Sequence, residues 1–356
     1  MTTLNKNTQV AILIPSKNRP DFIIRQLNYY SKVASPHPVY IGDASTGEEL
    51  TKLKKALDKY KNKIQVHYYY LPELNIGATM EYLSRQTQEK YSCHIGDDDF
   101  QIPPSLTQCA EFLENHNDYV SAHGYAVALR VQDAGVFGKI TKIKDYPQPE
   151  IETVTALERL FQFFHNYYVA LYSVTRTEVI KKAWTESLKI QDKSLSFEVL
   201  PCALSIVAGK SKLIECLSFI RQIHKGHFLV PDNFDWICQD IWGRDYNIFK
   251  KIIIEEIVKT DNKPLPEIEK KLKQTFWFFL KKELEREYHE KFPSLKPKKI
   301  PLKTRLAIKF PFLKPWYRRL KKYFNQKRWI HAEVLDIQSP FFHDFQIVKK
   351  IIEENF

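Results

Sequence analysis

Glycine is scarce in this chain, at 10 of 356 residues, while Phe, Tyr and Trp number 23, 19 and 6. Aromatic content of that size excludes a low-complexity or disordered polymer. Long apolar runs are also missing. No stretch reaches the roughly 18 uncharged apolar residues that a membrane-spanning helix needs. The polar segment 1–9 lacks the apolar centre of a secretion signal. Cysteine is sparse and odd in number, at positions 93, 109, 202, 216 and 238, with no CxxC spacing. This argues against a disulfide framework or a zinc site and for a reducing cytosol, each thiol serving as a small buried hydrophobe. No GxGxxG, P-loop, GxSxG or HExxH pattern occurs.

What is present is a globular composition, 44% apolar and 27% charged, with length for one large core or two smaller ones. The formal charge of +12 is concentrated in one place. Residues 291–328 hold 14 Lys or Arg and no acid, and the rest of the chain is close to neutral. The basicity is therefore a local device.

Apolar runs alternate with helical segments along the first half. Residues 9–15 read as a buried strand ending at Pro15, and a helix follows over 22–33. Strands over 38–41, 64–70 and 91–95 alternate with helices over 47–60 and 78–88. This spacing predicts an α/β fold, a mainly parallel sheet covered on both faces. Ligands in such sheets bind at the carboxyl ends of the strands. Four polar clusters fall there: Ser16-Lys17-Asn18-Arg19, Gly42-Asp43-Ala44-Ser45, Asn75-Ile76-Gly77 and Gly96-Asp97-Asp98-Asp99. A further helix over 105–116, strands over 119–130 and 135–144, a helix over 153–165 and an apolar strand over 168–174 follow. A helix over 196–208 and a strand over 212–221 precede the loop His224-Lys225-Gly226-His227. From 234 onward the pattern is helical. The expected division is a domain over 1–230 and a helical C-terminal region over 231–356.

Three adjacent carboxylates repel one another in a partly buried setting. They become favourable around a divalent cation that also binds phosphates, Mn or Mg here. An isolated acidic run equally suits a solvated loop. A preceding apolar strand and the following Pro103-Pro104 favour the cation.

The layout resembles the family 2 glycosyltransferases of GT-A fold. The resemblance covers residues 9–227 and rests on the order of Pro15-Ser16-Lys17-Asn18-Arg19, Asp43, Asn75-Ile76-Gly77 and Asp97-Asp98-Asp99. The family pattern around Asp43 is closer to Asp-Asp-Gly-Ser, so that match is partial. The resemblance implies transfer of a sugar from a nucleotide-diphosphate sugar, a UDP-sugar by expectation, to a saccharide or lipid-linked acceptor. The reaction would be metal-dependent, inverting and of hexosyltransferase type. Pro15, Ser16, Asn18 and Arg19 would line the nucleotide pocket, with Asn75 and Gly77 beside it. Asp43 would hold uracil or ribose, Asp97 the ribose or sugar, and Asp99 the metal and diphosphate. Asp98 belongs to the same site without an assigned role. Glu198 would be the general base, with Asp192 as fallback, because the second acid of the family's usual pair is replaced by Val199. His224 would be a second metal ligand, with His227 the weaker choice, and Arg221 and Lys225 would face the diphosphate.

In the C-terminal region, Phe276-Trp277-Phe278-Phe279 would pack against the catalytic domain. The segment 291–329 interleaves cations with aromatics, which suits an anionic membrane surface. It equally resembles a solvated face, and nucleic acid is not the expected partner. The reading that results is a cytoplasmic polysaccharide-building glycosyltransferase, peripheral on the inner face of the membrane. Two alternatives stay open: a nucleotidyltransferase, which usually carries a Gly-rich phosphate loop near the first strand, and a non-catalytic basic membrane- or nucleic-acid-binding protein.

Overall fold

A computed structural model describes residues 8–223, 231–295 and 329–354. The first strand, β1 (Val10–Ser16), shows how the sequence dictates the layers. Its side chains alternate, so Val10, Ile12 and Ile14 enter one core while Ala11 and Leu13 enter a second. A strand buried on both faces needs cover on both. Helices α1 (Pro20–Lys32), α2 (Gly47–Leu57) and α4 (Pro103–Asn115) supply residues to the first core. Helices α3 (Ile76–Gln86), α5 (Ala156–His165), α6 (Thr177–Ser187) and α7 (Leu200–Ala208) supply the second.

The remaining strands are β2 (Val39–Asp43), β3 (Val66–Tyr70), β4 (Tyr91–His94), β5 (Phe100–Gln101), β6 (Tyr119–Val131), β7 (Ile140–Asp145), β8 (Val174–Arg176) and β9 (Lys210–Gln222). They form one sheet in the order β3-β2-β1-β4-β8-β6-β9-β5, with β7 paired to β6. Strands β1, β2, β3, β4, β6 and β9 run in one direction and β5, β7 and β8 in the other. The mainly parallel α/β architecture, helices on both faces and a helical C-terminal region are thus as the sequence predicts. The carboxyl ends of β1, β2, β4 and β9 form one edge.

Some predicted elements differ. Of the strand predicted over 168–174 only Val174 lies in one, and residues 168–173 form none. A tight 3₁₀ turn, Ala170–Tyr172, precedes the three-residue β8. Tyr172 stacks on Phe219 at 4.3 Å, so the apolar run serves packing rather than sheet pairing. Periodicity cannot separate those two uses in a short run. The helix predicted over 196–208 begins as a wide π-type turn, Leu195–Val199. Four cysteines are buried and free, but Cys238 is exposed.

The C-terminal helices α8 (Asn233–Ile237), α9 (Trp242–Thr260) and α10 (Leu265–Lys291) feed the second core. Helices α11 (Ile330–Glu333) and α12 (Phe342–Glu353) feed the first. Phe276 is the hub on α10. Its ring lies 4.8 Å from Tyr246, 5.4 Å from Phe249 and 5.9 Å from Phe164. Phe276→Ala is expected to cost about 3–5 kcal/mol of unfolding free energy, read by chemical denaturation. A loss below about 1 kcal/mol would mean that α10 is not integral to the core. Its neighbour Trp277 is 73% exposed.

Candidate functional site

The site begins where β1 runs into α1. Asn18 has a φ of 54°, in the left-handed region that Asn tolerates better than most residues. That turn lets its N–H donate to Ser45 Oγ at 2.8 Å while its Oδ1 accepts from Thr46 N–H at 3.0 Å. The loops after β1 and β2 are thereby tied together. Pro15 is half-buried and registers against Gly42 of β2.

Loop 96–99 at the end of β4 meets the same corner. Ser16 Oγ donates to Asp97 Oδ2 at 2.8 Å. Arg19 forms a salt bridge to Asp97 through Nη1 and another to Asp98 Oδ2 through Nη2, the latter at 3.1 Å. Asp99 Oδ1 accepts from the Gln222 N–H, at the end of β9, at 2.8 Å. All three carboxylates are buried. Burial pushes the Asp97 carboxyl up to about 7, against the pull of Arg19. Burial, and then the charge of Asp98, push Asp99 well above the usual carboxylate range. The same enclosure lowers the fully buried Arg25 guanidinium to about 10, still protonated at neutral pH, with the three carboxylates as its counter-charge.

Asp43 is fully buried, and both its oxygens are bonded within the protein. Tyr68 OH donates to Oδ2 at 2.8 Å and Ser45 N–H to Oδ1 at 2.9 Å. As it stands, this carboxylate organises the loop after β2. Asn75 is exposed and caps α3, accepting from Ala78 N–H at 3.0 Å. Gly77 is needed for space, since a Cβ there would lie 2.9 Å from the ring of Phe197.

Glu198 lies next to that ring, in the wide turn. Such turns recur at functional sites because they displace side chains from helical register. Tyr167 OH donates to Glu198 Oε1 at 2.8 Å. Burial raises the Glu198 carboxyl, and the Tyr167 bond and Arg221 partly restrain it. Arg221, near the end of β9, lies over the Tyr146 ring at 5.4 Å and donates to its hydroxyl at 3.3 Å. Burial works against its charge, yet Tyr172, Tyr146, Asp99 and Glu198 together hold it more firmly than usual. Arg221 therefore couples electrostatically to both Asp99 and Glu198. Asp192, the fallback base, is fully engaged in the core. Its oxygens accept from Leu195 N–H at 2.7 Å and Trp236 Nε1 at 2.9 Å.

The metal expectation can be weighed on these contacts. Among the described residues no group of three or more His, Cys, Asp or Glu is arranged to hold an ion. Arg19 engages Asp97 and Asp98, whereas no described residue bonds Asp99 Oδ2. That arrangement fits a cation held by one protein carboxylate, with substrate phosphates and water completing the shell, as is common for Mg²⁺. His224, Lys225 and His227 lie outside the described residues, as does most of the basic segment 291–329.

Sequence reasoning missed Arg25, Gln26 and Tyr68, and missed that Gln222 and Tyr167 hold the two acidic groups. Arg25 and Gln26 did leave a signal, as polar residues inside the apolar stripe of α1.

No protein-family model matches the chain, and no curated protein matches it. Among solved structures, the chain is similar to S. aureus TarS 1-349, at 15% identity and a TM-score of 0.49 over 98% of this chain and 91% of that one. The same protein in complex with UDP-GlcNAc gives 16% and 0.49, and in complex with UDP 16% and 0.48, with the same coverage. Similarity at this level leaves the reaction to be argued from the chain's own residues.

Proposed function

We propose that this chain is a glycosyltransferase that moves a sugar from a nucleotide-diphosphate sugar, a UDP-sugar in our reading, to a saccharide or lipid-linked acceptor with inversion. The observation that carries the reading is the convergence at one sheet edge. Ser16 at the end of β1 and Arg19 after it, Asp43 at the end of β2 and Ser45 after it, the acids of loop 96–99 after β4 and Arg221 on β9 meet there, with Glu198 coupled electrostatically to the same arginine.

In this reading the nucleoside lies over the β1 and β2 loops and the diphosphate lies toward Asp99 and Arg221. Glu198 takes the proton of the acceptor hydroxyl as that oxygen attacks the anomeric carbon. The bond from that carbon to the phosphate oxygen breaks, and the nucleoside diphosphate leaves with the bonding pair. Arg221 faces the charge that develops on it. A Mn or Mg ion bound at Asp99 would supply further neutralisation of the diphosphate. The absence of glycine from Ser16-Lys17-Asn18-Arg19 weighs against a nucleotidyltransferase, which cradles phosphates on main-chain N–H groups.

Membrane association through 291–329 belongs to the same proposal. Phe292, Leu295 and Trp329, which flank the undescribed part of that window, are 50%, 57% and 51% exposed. Among the described residues no helix is long and apolar enough to cross a membrane. Thermal denaturation with a panel of nucleotide sugars, with and without Mn, tests the donor site. A true donor at a hundredfold excess over its Kd is expected to add about 2.7 kcal/mol. No stabilisation by any nucleotide would sink the proposal.

A further inference from the structure

Arg25 and Gln26 on α1 enter no step of the reaction above. Both are fully buried, in a helix whose other enclosed residues include Phe22, Ile23, Leu27 and Tyr30. If packing were the need, leucine would meet it without stripping a guanidinium of its hydration. The two side chains instead bond main-chain carbonyls of loop 96–99. Gln26 Nε2 donates to Gly96 O at 2.7 Å and to Asp99 O at 2.6 Å, so one amide spans both ends of the loop. Arg25 Nη2 donates to Asp98 O at 2.6 Å. Asp99 N–H closes the turn on Gly96 O at 3.3 Å.

Arg25 also carries the hold further into the fold. Its Nη1 donates to Val136 O and, at 2.6 Å, to Gln222 Oε1. Gln222 Nε2 donates to Gly135 O at 2.8 Å, and Gln222 N–H holds the Asp99 carboxylate. Charge attraction alone would draw Arg25 to the carboxylates. Its bond to a carbonyl fixes a peptide plane instead, and with it the direction in which each Asp side chain leaves the chain.

We propose that Arg25 and Gln26 are positioning residues that hold loop 96–99 so that Asp97 and Asp99 meet the sugar-nucleotide donor. The inference rests on the donor-site reading above.

The test compares Gln26→Met, Arg25→Met and Arg25→Lys with the native full-length chain, by two readouts. The first is amide hydrogen exchange over 96–100 without nucleotide. It is expected to speed up roughly tenfold for each lost bond, with α3 and α6 unchanged. The second is kcat, expected to fall roughly a hundredfold in the Met variants, with partial recovery in Arg25→Lys. Loop exchange equal to native, or a native kcat per folded molecule, overturns the positioning role. Failure of the native chain to bind any nucleotide sugar overturns the donor-site reading instead. Should Arg25→Met not fold, Gln26→Met, which buries no new unpaired charge, decides the matter by the same readouts.

Discussion

Asp99→Asn is expected to lower kcat/KM for sugar transfer by about three orders of magnitude while leaving the protein at least as stable as the native chain. Asparagine is the informative substitution because it can keep the bond from Gln222 N–H to Oδ1, which measures 2.8 Å in the native site. Alanine would orphan that buried donor at a cost of about 1–3 kcal/mol and confuse stability with function. The stability expectation follows from linkage. The folded-state carboxyl of Asp99 is raised by burial, so its contribution to stability is full at low pH and is lost as pH rises through the raised value. Above that value, without a cation, the ionised Asp99 is a burden that a neutral amide of the same shape removes. A residue that destabilises the empty protein and supports the loaded one is what a binding site built at the expense of stability looks like. Chemical denaturation and steady-state transfer assays check the two halves. Native activity in Asp99→Asn would remove the acidic loop from the donor site. Asp98→Asn serves as the contrast. Arg25 holds Asp98 by its carbonyl and Arg19 holds it by its carboxylate, so a much smaller loss of activity is expected there.

The chain's local patterns locate this loop, but not what holds it. The alternation in Val10–Ser16 and the runs before Asp43 and Asp97 are short-range signals, and each produces a strand whose carboxyl end carries polar residues. Asn75-Ile76-Gly77 is legible as a turn into a helix, yet its observed contacts are a cap and a clearance for Phe197. The contacts that fix the acids are long-range. Arg25 and Gln222 are 197 residues apart, and Asp99 and Gln222 are 123 apart. No periodicity connects them; only the pairing of β9 beside β5 and β6 does. Asp43 shows the converse. Its type and position match a ligand-binding carboxylate, but Tyr68, one strand over, occupies one of its oxygens. Glu198 was legible by type and place before an apolar helix. Its partners Tyr167 and Arg221 come from elements that only the folded sheet brings alongside.

Glu198→Gln is expected to reduce kcat by about 10²–10⁴-fold, the range for loss of a general base, with donor binding retained. The pH dependence gives the sharper test. Burial raises the Glu198 carboxyl above its ordinary value, and only the ionised form can accept the acceptor's proton. The acid limb of kcat should therefore lie above the usual carboxylate range of about 4.3, with activity falling as pH drops through it. Tyr167 modulates that limb in a definite direction. Its hydroxyl bond favours the charged carboxylate and partly offsets burial. Tyr167→Phe removes the bond, so the limb should move to higher pH while the rate well above it changes little. A structural role for Glu198 predicts neither effect. It also predicts destabilisation in Glu198→Gln at neutral pH. A raised folded-state carboxyl contributes its stability at low pH and loses it as pH rises, so the neutral amide should cost nothing at pH 7. If Glu198→Gln transfers sugar at the native rate, or if Tyr167→Phe leaves the acid limb in place, the base lies elsewhere.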